Sequence, residues 1–70
     1  MFNKGDFVMC NTPNQYTTTD IGVLCVVVNK EPHEEDDIKV KVLDPLNSGI
    51  SKSEIGVTYW VKSYDFRLIE

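Results

Sequence analysis

The residues whose chemistry could support catalysis are few and widely spaced in this chain. The only histidine, His33, lies in a run of acids, whereas the two cysteines, Cys10 and Cys25, lie in apolar stretches. A Cys–His or Ser–His–Asp arrangement requires the imidazole within hydrogen-bond reach of the nucleophile. The sequence also contains no Cys-x-x-Cys motif and no glycine-rich phosphate loop. We therefore predict that the chain is not an enzyme, and we interpret His33 as a solvated loop residue.

Acidic residues are concentrated in one short segment, residues 31–37, which carries five of the eleven acids. Without these five, the net charge of −4 becomes about +1. Carboxylates can bind a hard cation, but this run lacks the spaced ligands and central glycine of a calcium loop. Clustered charge also accelerates encounter with an oppositely charged surface. We predict no metal and no cofactor, and a partner protein with a basic surface.

Aromatic residues could supply the anchors of such a binding surface. Tyr16 lies in the polar stretch of residues 11–20, Tyr64 lies in a predicted turn, and Tyr59 and Trp60 are adjacent. Neighbouring strand residues point to opposite faces, so Tyr59 or Trp60 faces outward, unless the two merely close the ends of a small core. Aromatic anchors with a charged rim are typical of protein-binding sites. The predicted site comprises Tyr16, Glu34, Glu35, Asp36, Asp37 and Trp60.

A basic set of residues offers an alternative function. An outward aromatic beside cations could stack bases while the cations neutralise phosphates. The acidic overall charge disfavours nucleic acid as the partner, and solvated lysines also protect an edge strand. The alternative is therefore a nucleic-acid-binding small barrel that uses Lys39, Lys41, Lys62 and Arg67.

These side chains would be positioned by short strands. Residues 21–29 are the most apolar and are rich in Val, which predicts a central strand covered on both faces, with a bulge or close backbone contact at Gly22. Residues 38–43 alternate between apolar residues and lysine, which predicts a half-buried antiparallel strand. Residues 7–10, 58–61 and 66–69 are the other predicted strands, whereas residues 50–57 suit either a helical turn or an extended loop.

Five short strands without a long helix restrict the fold to a small barrel or sandwich, and 70 residues make one domain. Three stretches, Lys4-Gly5-Asp6-Phe7-Val8, residues 19–27 and residues 59–69, resemble the small SH3-like barrel proteins of bacteria and bacteriophages. The resemblance implies an all-β, five-stranded, antiparallel SH3-like barrel spanning residues 1–70. It departs at Cys25, where that outline often has an aromatic. The Ala-Leu-Tyr-Asp-Tyr stretch and Trp-Trp pair of eukaryotic SH3 domains are missing, so recognition of proline-rich peptides is not implied.

The resemblance also implies a cytoplasmic protein that modulates or inhibits a host protein, in the host cytoplasm if a phage encodes it. We expect no signal peptide, and the longest apolar run is too short to cross a bilayer. Free, buried thiols are favoured over a Cys10–Cys25 disulfide. A third hypothesis is a structural component of an assembly, formed by pairing of an exposed edge strand. The oligomeric state stays open.

Overall fold

The computed structural model describes residues 2–11, 21–29, 36–46 and 48–69. These residues form five strands: β1 (Phe7–Cys10), β2 (Leu24–Asn29), β3 (Asp37–Asp44), β4 (Thr58–Lys62) and β5 (Phe66–Leu68). Two 3-10 turns complete the described elements, η1 (Lys52–Glu54) between β3 and β4, and η2 (Ser63–Asp65) between β4 and β5. Within the described ranges no helix is long and apolar enough to span a membrane.

The strands form one antiparallel sheet in the order β4-β3-β2-β1-β5. The predicted all-β antiparallel fold is confirmed, and β2 occupies the centre of the sheet as predicted. Strands β4 and β5 are the two edges, and no ladder joins them among the described residues. The pairing therefore shows an open sheet, and the predicted barrel is not confirmed by it.

The core lies on one face of this sheet and receives side chains from every strand. Alternate residues point inward: Val8 and Cys10 do so in β1, and the apolar positions of β3 do so as predicted. Phe2, Ile50 and Tyr59 pack against the margin of this core. The buried residues are Val8, Cys10, Val23, Cys25, Val27, Ile38, Val40, Val42, Val61 and Phe66.

The prediction that both faces of the central strand are covered is wrong for the described residues. Cys25 and Val27 are buried in the core, but Leu24, Val26 and Val28 are only half-buried. The reason is that a single sheet has a single core face, and no second layer of described residues lies over the other. The apolar residues on the outer face of β2 therefore need another explanation.

Gly22 makes a close backbone contact near the start of the central strand, as predicted, but glycine is required there by its backbone conformation rather than by lack of space. Its φ of +88° lies in the left-handed region, and a Cβ built there would meet no atom within 4 Å. Its N–H donates to the carbonyl of Cys10 at 2.9 Å, and β2 begins only at Leu24. Gly22 therefore forms the turn that leads into the central strand.

The structure resolves the ambiguity at residues 50–57 as a single 3-10 turn. The Ser51 hydroxyl accepts a hydrogen bond from the N–H of Ser53 at 3.2 Å, which caps η1. Ile55 and Val57 follow η1 and are exposed. The tight turn predicted at residues 63–65 is η2. Cys10 and Cys25 are buried and form no disulfide, as predicted.

Candidate functional site

The turn η2 is tied by main-chain hydrogen bonds to two other parts of the chain. The N–H of Ser63 donates to the carbonyl of Asp36 at 2.8 Å, and the N–H of Asn11 donates to the carbonyl of Asp65 at 2.7 Å. Asp36 immediately precedes β3, and Asn11 immediately follows β1. The end of the acidic segment, the start of the polar segment and η2 therefore meet at one end of the sheet. We call Asn11, Asp36 and residues 63–65 the η2 junction.

Tyr64 is the most exposed aromatic side chain among the described residues. It is the middle residue of η2 and is 67% exposed, with the exposed Asp36 bonded to the residue before it. The sequence argument considered Tyr64 for an aromatic patch but left it out of the predicted site. The sequence signal for including Tyr64 was its place in a predicted Ser-Tyr-Asp turn. Its exposure depends on the hydrogen bonds that hold η2, which the sequence does not reveal.

Three residues of the predicted site, Tyr16, Glu34 and Glu35, lie outside the described residues. Asp36 lies at the η2 junction and is exposed. The other two members, Asp37 and Trp60, lie on the outer face of the sheet.

Asp37 is not a solvated loop acid, which corrects its place in the predicted site. It is the first residue of β3, opposite Lys62 of β4, and its Oδ1 lies 2.6 Å from Nζ of Lys62. The two side chains are 17% and 32% exposed, respectively. Each charge compensates the other, so Asp37 is unsuited to attracting a basic partner and Lys62 is unsuited to neutralising a phosphate.

Trp60 is the outward aromatic of the Tyr59–Trp60 pair. Tyr59 packs against the core, and its hydroxyl donates to the Glu54 carboxylate. Trp60 lies opposite Lys39 in the ladder, and Nζ of Lys39 is 5.8 Å from the ring centroid, a cation–π contact. Trp60 therefore does not close an end of the core, which was the alternative considered for the Tyr59–Trp60 pair.

The four cations predicted for nucleic-acid binding do not form one cluster. Lys39 and Lys41 share the outer face of β3, whereas Arg67 lies on β5 opposite Met9, with Nη2 3.5 Å from the Met9 sulfur. Strands β1 and β2 separate the lysines from Arg67, a lateral distance of about 14 Å at three strand spacings. With Lys62 paired to Asp37, only Lys39 and Lys41 act together.

The Cys25 thiol is a protonated group of the core rather than a nucleophile. Burial, with a smaller contribution from Cys10, raises the pKa of Cys25 to about 12. A thiol must ionise to attack an electrophile or to bind a metal, so Cys25 is unreactive at neutral pH. Within the part of the chain that the structure describes, no group of three or more His, Cys, Asp or Glu residues is placed to hold a metal ion.

Comparison of the chain with protein-family models, with curated proteins and with solved structures finds no match. The functional argument therefore rests on the geometry and charge of the described residues.

Proposed function

We propose that the chain is a small, non-enzymatic protein-binding module with an SH3-like barrel fold, and that the η2 junction is the centre of its binding surface. The observation that carries the proposal is the exposure of Tyr64 in a turn fixed at both ends by main-chain hydrogen bonds. An aromatic side chain on a fixed backbone buries a large area at little entropic cost when a partner covers it.

The connection between the two edge strands supports the barrel. In a flat five-stranded sheet, the outermost strands lie about 19 Å apart. Only the three residues of η2 separate Lys62 at the end of β4 from Phe66 at the start of β5, and that length of chain spans at most about 14 Å. Val61 of β4 and Phe66 of β5 also belong to one buried cluster. Both observations favour a sheet that curls until its edges approach each other at η2.

The charge around the η2 junction supports a basic partner. Asp36 belongs to the acidic segment, residues 31–37, which carries five of the eleven acids of the chain, and its carbonyl accepts a hydrogen bond from the N–H of Ser63 in η2. Such a concentration of charge raises the rate at which a basic surface is encountered, while Tyr64 anchors the docked complex. The proposed surface keeps Tyr16, Glu34 and Glu35 from the sequence prediction, and these three lie outside the described residues. The proposed role is that of a modulator or inhibitor of a host protein.

Affinity capture from a bacterial lysate, with nuclease added to half of the sample, tests this proposal. We expect one protein to be retained in both halves, and the Tyr64→Ala variant to retain at least tenfold less, the effect of removing one binding anchor. Ile55→Ala is the matched control, because Ile55 is 51% exposed and lies beside η1, away from the η2 junction. Retention that disappears with nuclease, or that Tyr64→Ala leaves unchanged, contradicts the proposal.

The second candidate function is binding of single-stranded nucleic acid by the outer face of β3. The ammonium of Lys39 over the Trp60 ring, with Lys41 two residues further along β3, favours it. The pairing of Lys62, the distance to Arg67 and the net charge of −4 count against it. Fluorescence anisotropy with a labelled oligonucleotide at low salt distinguishes the two candidates. The second requires binding that falls steeply with salt and is lost in Lys39→Glu/Lys41→Glu, and an absence of binding removes it.

A further inference from the structure

The outer face of the sheet carries a row of apolar side chains that the core does not use. Val26 of β2 lies opposite Phe7 of β1, and Leu24 of β2 lies opposite Met9 of β1. Directly opposed residues of antiparallel strands point to the same face, so these four side chains are neighbours. Phe7 is 52% exposed and the other three are half-buried. We call Phe7, Met9, Leu24 and Val26 the outer strip.

Cations border the outer strip on both sides. Lys41 of β3 lies opposite Val26, with Lys39 two residues away on the same face. On the other side, Arg67 of β5 lies opposite Met9. The carboxylate of Asp37 also lies on this face but is paired with Lys62. Lys41 and Arg67 therefore form positive margins on the two sides of the outer strip, while the exposed carboxylate of Asp44 on β3, opposite Leu24, borders its Leu24 end.

This arrangement is unusual for the wet face of a small sheet. Strand β3 shows the ordinary pattern, with Lys39 and Lys41 outward and valines inward. Strands β1 and β2 break it by placing Phe, Met, Leu and Val outward. Contiguous exposed apolar surface with a polar margin marks an interaction site, because leaving it in water costs free energy that a partner recovers by covering it.

We propose that the outer strip docks an amphipathic α-helix with acidic flanks, supplied by a partner protein. The positive margins on β3 and β5 are three strand spacings apart, about 14 Å measured along the sheet, and a helix with its side chains is about 10–12 Å wide. The apolar stripe of the helix covers Phe7 and Val26, and carboxylates on its two flanks reach Lys41 and Arg67. Charge complementarity on both sides thus fixes the position of the helix.

The chemistry of the outer strip favours this occupant over two others. Aliphatic side chains at its centre, such as Leu24 and Val26, neither stack bases nor neutralise phosphates, which disfavours a nucleic acid. Among residues 2–11, 21–29, 36–46 and 48–69 there is no α-helix, so the described part of a second copy does not supply one. The proposal concerns a surface distinct from the η2 junction and does not depend on the function proposed for it.

The probe is a labelled synthetic helix of about five turns, with Leu at positions i, i+3, i+4 and i+7 and Glu on both flanks. Its binding to the full chain is measured by fluorescence anisotropy. We expect saturable binding that weakens as salt is added, because both margins contribute charge. A peptide of the same pattern with Lys in place of Glu is expected to bind at least tenfold more weakly.

Variants of the outer strip locate the binding site. Phe7→Ser and Arg67→Glu are each expected to weaken peptide binding about tenfold or more, since they remove an anchor and reverse one margin. Lys52→Glu is the matched charge control, because Lys52 lies in η1. Tyr64→Ala is expected to bind the helix normally, which separates this proposal from that for the η2 junction. Circular dichroism verifies each fold, and Lys41→Glu replaces Phe7→Ser if the latter unfolds.

Several results would overturn the proposal. These are failure of the acidic peptide to bind, equal binding of the basic peptide, or binding that the Phe7 and Arg67 variants leave unchanged. Sedimentation that shows a dimer of the wild-type chain but a monomer of Phe7→Ser would assign the outer strip to a second copy instead. Displacement of the peptide by an oligonucleotide, with loss of oligonucleotide binding in Lys41→Glu, would assign it to nucleic acid.

Discussion

At the scale of one residue, the Cys25 thiol shows how burial controls chemistry. Burial raises the pKa of Cys25 from 9.0 to about 12, so the folded chain holds this proton more tightly than the unfolded chain does. The resulting contribution to stability is fully present below about pH 9 and is lost as the pH rises towards 12. The loss approaches about 1.4 kcal/mol per pH unit where only the unfolded thiol ionises.

The pH dependence of stability tests this interpretation. Urea unfolding of the wild-type chain and of Cys25→Ala is compared from pH 8 to about pH 10.5, a range set by the pKa shift. We expect the free energy of unfolding to fall more steeply with pH in the wild type than in the variant, which lacks the thiol. Parallel curves would show that the ionisation of Cys25 does not contribute.

The adjacent acids Asp36 and Asp37 have different partners, and this difference gives a second prediction at the residue scale. Asp37 is paired with Lys62, whereas Asp36 is exposed at the η2 junction. We expect Asp37→Asn to lower the free energy of unfolding by about 1 kcal/mol, a value limited by the partial exposure of the pair. Asp36→Asn is the matched control and is expected to have little effect. Chemical denaturation measures both, and equal losses in the two variants would argue against a stabilising ion pair.

At the scale of the element, glycine is required at position 22 by its positive φ and not by a lack of space for a side chain. Alanine at a φ of +88° is strained, so we expect Gly22→Ala to cost about 1–2 kcal/mol of stability. D-alanine, introduced by chemical synthesis, adopts a positive φ readily and finds open space for its Cβ. Thermal unfolding should therefore show a loss for the L-form and little change for the D-form. Equal destabilisation by the two forms would mean that contact, not φ, requires glycine.

Strands with local patterns could be predicted from the sequence, whereas features set by register could not. The alternation in β3 followed directly from period-two patterning. The half-exposed outer face of β2 did not, since an apolar run does not reveal how many layers surround it. The pairing of Asp37 with Lys62, 25 residues apart, depends on the register of two strands joined by a long connection.

At the scale of the whole molecule, the short η2 connection predicts that the sheet curls. We expect a nuclear Overhauser effect between the methyl groups of Val61 on β4 and the ring of Phe66 on β5, because both side chains belong to one core. A flat sheet would hold the two edge strands about 19 Å apart, beyond the range of that effect. Failure to detect the contact in a folded, fully assigned sample would count against an SH3-like barrel.

The net charge of the chain does not indicate that its two proposed binding surfaces differ: the η2 junction includes an exposed acid, whereas cations flank the outer strip. The acidic segment could be recognised in the sequence, and Asp36 of that segment lies at the η2 junction. The outer strip with its positive margins could not, because Phe7, Val26 and Arg67 are brought to one face only by strand order. Tyr64, the proposed anchor, was left out of the predicted site for a similar reason, since its exposure follows from the hydrogen bonds that hold η2.

Amide chemical-shift mapping with the captured protein tests the central claim most directly. The isotope-labelled chain is titrated with the protein that affinity capture retains, and the perturbed amides are assigned. The account predicts that the largest changes cluster at Asn11, Asp36 and residues 63–65, and that Tyr64→Ala suppresses them. Changes centred on Lys39, Lys41 and Trp60, with the η2 junction unaffected, would contradict it.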